Sequence, residues 1–236
     1  MLTLLSLALL TVSQILTLSS YTRGMSANGE QQGSRYHHGN LREALIANAI
    51  KLIEAEGVAA LSLRRIARDT GVSQAAPYSH FPSKKDLITA VCIEGTKWFG
   101  ESMRRSAEGR HGVDYLAGLA IGHINFALAH PALFHLMSTR DVSEAADATG
   151  KVPEIFDEGY QMMVAALVRT PLPHFGIEQQ QLNIPLAWSQ VYGLSNLLIE
   201  GRITPQTYGF SDLEAFVVAV IDRFLQNSLK PLSDSK

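Results

Sequence analysis

Apolar residues recur along most of this chain at three- and four-residue intervals, and strand-like alternation is scarce, so the pattern predicts an all-α protein. The first clear stripe is Leu41, Leu45, Ala49 and Leu52, widened by Ile46 and Ile53. Asn40 with Glu43 three residues on reads as its N-cap, and Gly57 as its terminator. A short helix over 63–69 and a second over 74–81 follow. Longer helices are expected over 84–104, 112–129, 131–139, 153–169, 177–200 and 211–228. Gly112, Pro131, Pro153, the Pro171–Pro173 pair and Gly201 punctuate them. Three regions result: an extension over 1–34, a three-helix head over 35–90, and a larger helical body over 91–236.

The first sixteen residues, MLTLLSLALLTVSQIL, are apolar and uncharged. They lack the positive start of a secretory signal and fall short of the ~20 residues of a membrane span. We expect a disordered extension or one that is not translated, with the true start at Met25, and no membrane partner. An intact mass that includes Met1 would contradict this.

Composition adds two constraints. At 46% hydrophobic and 18% charged residues the chain can bury a real core, which excludes wholesale disorder. The formal net charge of -2 excludes a uniformly basic nucleic-acid binder. Charge is uneven, however. Arg35 to Ile88 carries eight Lys/Arg against five Asp/Glu, a net of +3, which leaves -5 for the remainder. A mildly basic head on an acidic body suits a module that faces phosphate.

The segment 61–87, LSLRRIARDTGVSQAAPYSHFPSKKDL, carries the chemistry. Ser62 caps the first short helix, with Ile66 and Ala67 facing inward. Gly71 supplies a tight turn in which a positive φ is cheap, and Val72 plugs it from below. Ser73 is expected to cap the second helix, with Phe81 anchoring its end, and Ser83 with Asp86 starts the next. On that second helix Gln74, Ala75, Ala76, Tyr78 and Ser79 come early, in the part that enters a major groove. Glutamine can pair with adenine, and alanine methyls can meet thymine methyls. Tyr78, His80, Ser62 and Lys84 suit phosphate oxygens, and Arg64 suits a phosphate or a guanine. Any one of these residues alone would read as ordinary helix surface; their joint spacing favours DNA.

Residues 35–90 resemble the TetR/AcrR family of transcriptional regulators. The resemblance is carried by RYHHGNLREALIANAIKLIEAEG and by Gly71-Val72-Ser73, Tyr78-Ser79-His80-Phe81, Ser83-Lys84 and Leu87. It implies that Ser73 to Phe81 is the recognition helix. By the same resemblance Tyr78, His80 and Lys84 meet phosphates, Gln74 to Ala76 meet bases, and Arg35 and Tyr36 lie near the minor-groove backbone. Pro77 departs from the bulkier aliphatic residue common at that place; it leaves the class intact and the groove angle open. In the body, W188SQVYGLSNLLIEG resembles the Trp-x-x-x-His-Gly segment of a family subgroup, with Tyr192 in the histidine's position.

The body is read as the sensing and pairing part. The family resemblance implies that the last two long helices pair with their mates in a homodimer. Trp188, Val191, Leu194, Leu198, Phe216, Val217, Val220, Ile221 and Phe224 are candidates, shared between that interface and the monomer's core. An apolar pocket for a small apolar or aromatic ligand is expected among Phe126, Phe134, Met137, Tyr160, Met162, Met163, Trp188 and Tyr192. His123, His130 and His135 are read as partner-bonded, with no metal site and no cofactor expected. The single Cys92 excludes an intramolecular disulfide and reads as a small buried residue.

The expected function is a cytoplasmic, nucleoid-associated regulator, by default a repressor, that binds a palindromic operator as a ligand-responsive dimer. An enzyme is not expected, since no Gly-rich phosphate loop, nucleophile elbow or metal signature occurs. The alternative is a helix-turn-helix adaptor that binds a protein instead of DNA.

Overall fold

A computed structural model describes residues 41–138, 157–169 and 177–228. Among these the chain forms eight α-helices and three short 3-10 segments, with no strand. Residues 1–34, Met25, Asn40, Arg35 and Tyr36 lie outside the described residues, as do 153–156 of the expected helix over 153–169.

Helix α1 (Leu41–Glu56) buries Leu45, Ile46, Ala49, Leu52 and Ile53, the stripe its periodicity predicts. Helix α2 (Leu63–Thr70) starts where the Ser62 hydroxyl accepts from the Arg65 amide at 3.2 Å. It stops at Gly71, whose φ of 73° only glycine adopts at little cost. There the Gly71 amide donates to the Arg68 carbonyl and the Val72 amide to the Ala67 carbonyl, each at 3.0 Å. Two carbonyls that the helix end would leave orphaned are thereby satisfied. An Asn48–Thr70 hydrogen bond of 3.0 Å ties α1 to α2.

The expected helix over 74–81 is tighter than an α-helix. Its core is a 3-10 segment, Ala76–Ser79, entered through Ala75 without a side-chain cap. Pro77 explains the difference. An α-turn would need an amide at position 77 to reach the Ser73 carbonyl, and proline has none. The Ser73 carbonyl accepts instead from Ala76 at 3.0 Å, the shorter 3-10 span. Ser73 therefore enters the turn through its backbone and not as the expected cap.

Helix α3 (Lys84–Ala107) opens on a complete capping box of Ser83 and Asp86. It runs three residues past its expected end and crosses residue 90. Leu87 and Val91 serve the head's core and Met103 and Ala107 the body's. The body adds α4 (Gly112–Ala129), α5 (Pro131–Met137), α6 (Asp157–Arg169), α7 (Ile177–Ile199) and α8 (Leu213–Ser228). Helix α4 is the central element and touches α3, α5, α6, α7 and α8. Its approach to α3 is so close that a Cβ on Gly118 would stand 2.7 Å from the Ala107 Cα, and one on Gly122 would overlap the Met103 backbone. The Ser102 hydroxyl closes the crossing, donating to the Gly122 carbonyl at 2.8 Å. Helix α4 is also long and apolar enough to cross a membrane, but most of it is buried inside the protein.

Three apolar clusters form among the described residues. One joins Leu45, Ile53, Leu61, Ile66 and Phe81 of the head to Leu133 and Phe134 of α5. A second packs Ile121 and Ile124 against Val191, Leu194, Phe216, Val217 and Ile221. A third packs Met103, Leu116 and Leu119 against Ala166 and Leu167.

Candidate nucleic-acid interface and body cavity

The 3-10 segment stands on an apolar base. Pro77 and Phe81 are buried, and the Arg42 guanidinium sits 5.3 Å above the Phe81 ring. Both fall in the segment expected to read DNA, but they face inward because the segment needs an apolar underside; for Phe81 that is the anchoring role its place in the pattern predicts. They hold the exposed face of the segment and do not form it. Ala76 is half-buried against the same core, and His80 is half-buried with its ring 6.5 Å from that of Phe81. Ser73, Gln74, Ala75, Tyr78 and Ser79 are exposed. The Ser79 hydroxyl is turned back onto the Ala76 carbonyl at 2.7 Å, so it stiffens the segment.

Beside this surface, Ser62, Arg64, Tyr78, Ser83 and Lys84 line one depression of about 300 Å³, with Leu63 at its base. Two elements and a turn converge here: the cap of α2, the 3-10 segment and the start of α3. The set offers hydroxyls, a guanidinium and an ammonium and no carboxylate, which is the chemistry a phosphate oxygen requires. Lys84 Nζ meanwhile donates to the Val58 carbonyl at 3.3 Å, a long bond that a phosphate could displace. Neighbouring Arg65 is committed elsewhere. It bridges Glu56 at 2.9 Å and Asp69 at 2.7 Å, which fastens α2 to the end of α1 and holds the Asp69 carboxyl below its usual range.

In the body a cavity of about 50 Å³ is lined by five helices. Phe99 and Met103 come from α3, Leu119 and His123 from α4, Met163 and Leu167 from α6, Trp188 and Val191 from α7, and Ile221 and Phe224 from α8. Of the sequence-predicted lining residues, Met163 and Trp188 are here. Phe126, Phe134 and Met137 lie in the cluster shared with the head; Phe126 packs edge-on against Phe99 at 5.4 Å and Phe134 against His123 at 5.5 Å. Tyr192 is half-buried on Phe134 at 5.5 Å, and Met162 packs on the third cluster. The Tyr160 side chain is outside the described residues. Periodicity marks which face of a helix is apolar, but not which part of that face meets a void, so the sequence missed Phe99, Met103 and Leu119.

The three histidines separate. His135 Nε2 lies 3.0 Å from the Asn196 amide oxygen, and His130 is half-buried between Trp98 and Phe126. His123 is buried at the cavity, and no donor or acceptor among the described residues meets its Nε2, contrary to the partner-bonded expectation. Burial pulls its pKa down to about 3, so it is neutral at pH 7. No group of three His, Cys, Asp or Glu among the described residues gathers as metal ligands would. Burial also pushes the Cys92 thiol up to about 12, which leaves it unreactive.

A polar link joins head and body. The Glu54 carboxylate of α1 accepts from the Ala132 and Leu133 amides at 3.2 and 2.9 Å and so caps the N-terminus of α5. Leu186 and Leu197 of α7 and Tyr208 of the 3-10 segment Pro205–Tyr208 are exposed, and Gln190, Phe210, Val220 and Phe224 line an open groove of about 700 Å³. Val191, Leu194, Phe216, Val217 and Ile221, candidates for a subunit interface, are buried in this chain's own core.

Comparison with known proteins agrees with a helix-turn-helix head on a helical body. Residues 45–91 match the family of bacterial regulatory proteins described as tetR, and residues 116–224 match the Tetracyclin repressor-like C-terminal domain. The chain belongs to the TetR family of transcriptional regulators. No curated protein gives a significant sequence match. A solved protein of unknown function from Rhodococcus sp. RHA1 is 27% identical, with 83% of this chain and 98% of that chain covered at a TM-score of 0.65. The TetR family regulator PfmR from Thermus thermophilus is 17% identical, with coverages of 77% and 97% and a TM-score of 0.54. FadR from Bacillus subtilis, solved in complex with stearoyl-CoA, is 14% identical, with coverages of 80% and 97% and a TM-score of 0.58.

Proposed function

We propose that this protein is a ligand-responsive repressor that binds a palindromic operator as a homodimer in the cytoplasm. The observation that carries the reading is the convergence of Ser62, Arg64, Tyr78 and Lys84 on one carboxylate-free depression beside the exposed Gln74 and Ala75. Lys84, Tyr78, Ser62 and Arg64 serve as phosphate contacts that fix the register, and Gln74 with Ala75 and Ala76 reads bases. His80 and Ser73 support the edge of that surface, and the minor-groove role of Arg35 and Tyr36 rests on the family resemblance alone.

Pairing through the outer side of α7 and α8 sets two heads about one DNA turn apart. The body cavity is the effector site. Coupling runs from its wall residue His123 to Phe134 of α5, and from the N-terminus of α5 to Glu54 of the head. A ligand that favours a second arrangement of these helices shifts the heads off the operator spacing. The cavity, at about 50 Å³, lies far below the ~300–1,000 Å³ of drug-sized sites, so the effector is small.

Selection of bound duplexes from a random DNA pool tests the reading. Enrichment of a palindrome with half-sites about one turn apart is expected. No enrichment, with pull-down of a protein through the same head, would favour the adaptor alternative.

A further inference from the structure

We propose that the open groove between the end of α3, the start of α4 and one side of α6 binds a small molecule that joins a phosphate group to an apolar ring. The site is separate from the body cavity and from the head.

Helix α6 divides the groove from the cavity. Gly159, Met163 and Leu167, four residues apart on one side, line the cavity, whereas Met162, Ala165, Ala166 and Arg169 line the groove. Helix α3 sets the groove apart from the DNA-facing depression. Lys84 opens that helix and Arg104 lies in its last turn, about 30 Å further along the axis. The groove holds about 1020 Å³, so a small molecule fits with room to spare.

Charge then selects the ligand. Residues outside 35–88 carry a net -5. Yet this groove gathers four arginines, Arg104, Arg105, Arg110 and Arg169, against two glutamates, Glu101 and Glu108, a net of +2 with His111 neutral. Arg104 and Arg105 end α3 and Arg169 ends α6, where each favours its own helix dipole. The dipoles account for these arginines singly, but not for four around one groove. Arg110 is held by Glu214 at 2.6 Å. Arg105 pairs with Glu101 at 2.6 Å, but both side chains are more than half exposed, and such pairs are weak enough to exchange. No carboxylate among the described residues pairs with Arg169. Guanidinium forks match phosphate oxygens, and a phosphomonoester, at about -1.5 to -2, matches the charge of the lining. The floor is apolar: Ala107 and Ala166 are buried, and Tyr115, Met162 and Ala165 are half-buried. A ring lies against such a floor while its phosphate stays at the arginines.

Phenyl phosphate, inorganic phosphate and phenol separate these contributions, since the last two are the halves of the first. Calorimetric titration of the full chain at pH 7.5 and low salt is expected to show phenyl phosphate binding at least about tenfold tighter than either half. Arg169→Gln should weaken phenyl phosphate about tenfold, and Arg169→Lys, which keeps the charge and loses the fork, should weaken it less. Arg169 is exposed, so both variants should fold, and unfolding temperatures without ligand check this. Because the head also offers phosphate contacts, Lys84→Ala is the control, and it should leave phenyl phosphate binding unchanged. The result expected is a loss on changing Arg169 and none on changing Lys84. No binding of phenyl phosphate, inorganic phosphate or phenol binding as tightly, an unchanged affinity in a folded Arg169→Gln variant, or a loss in Lys84→Ala as large as in Arg169→Gln would each overturn the proposal. No DNA enters the titration, so its outcome stands apart from the regulator reading.

Discussion

At His123 a single buried ring makes stability depend on pH. Its folded pKa of about 3 lies below the usual 6.5 of a free imidazole. Below pH 6.5 the unfolded chain therefore binds a proton that the folded chain does not. Stability is full above that pH and falls as pH drops toward 3. At pH 5 the loss is about 2 kcal/mol. Denaturant titrations at pH 7.5 and 5 should show it, and His123→Leu should remove that share of the pH dependence. An unchanged difference between the two pH values would place the acid sensitivity elsewhere. Phe81 gives the contrasting case. Buried beneath the reading surface, it should cost about 3–5 kcal/mol of stability when changed to alanine. Any loss of DNA binding by Phe81→Ala should follow unfolding, and should vanish at temperatures where the variant is folded.

Among the elements, α4 and α5 are those through which the proposed coupling runs. Gly122 permits the α3–α4 contact, and a methyl there has only backbone to push against. Gly122→Ala should lower stability by about 1–3 kcal/mol and reshape the cavity, whose walls include Met103 on the facing helix. Glu54 ties the head to α5, and the tie sits at the positive end of a helix dipole. Glu54→Gln should therefore shrink the effect of a bound ligand on operator affinity while leaving ligand binding itself intact; equal coupling in both proteins would remove α5 from the path. Much at this scale is legible in the residues alone. Ser62, Gly71 and the Ser83–Asp86 box mark helix boundaries by local chemistry, and each stands where expected. The 3-10 form of the second helix departs from the expected α-helix, although its cause, the missing amide of Pro77, is in the sequence. Phe126, Phe134 and Met137 belong to the core and not to the cavity, because a core wall and a cavity wall share one periodicity. His123 is visible in the sequence only as one histidine of three; its isolation depends on five helices meeting around it.

In the whole molecule, the exposed apolar side chains of α7 should decide assembly. Leu197 is exposed, at 40% of its surface, and Leu186 is exposed on the same helix. Leu197→Arg should turn dimers to monomers in sedimentation at micromolar concentration, and should weaken binding to a full palindrome far more than to a half-site. A dimer that survives the change would move the interface elsewhere.

The reading of DNA by the head is the central claim. Its most direct test is a salt titration of binding to the selected duplex and its single base-pair variants, run on the unaltered protein, Lys84→Ala and Gln74→Ala. Affinity should fall steeply with salt. Lys84→Ala should weaken every duplex alike and lower the salt slope by about 1, whereas Gln74→Ala should relax preference at one base pair by about 1–3 kcal/mol. Binding indifferent to salt, or equal sequence-blind losses from both changes, would contradict the account.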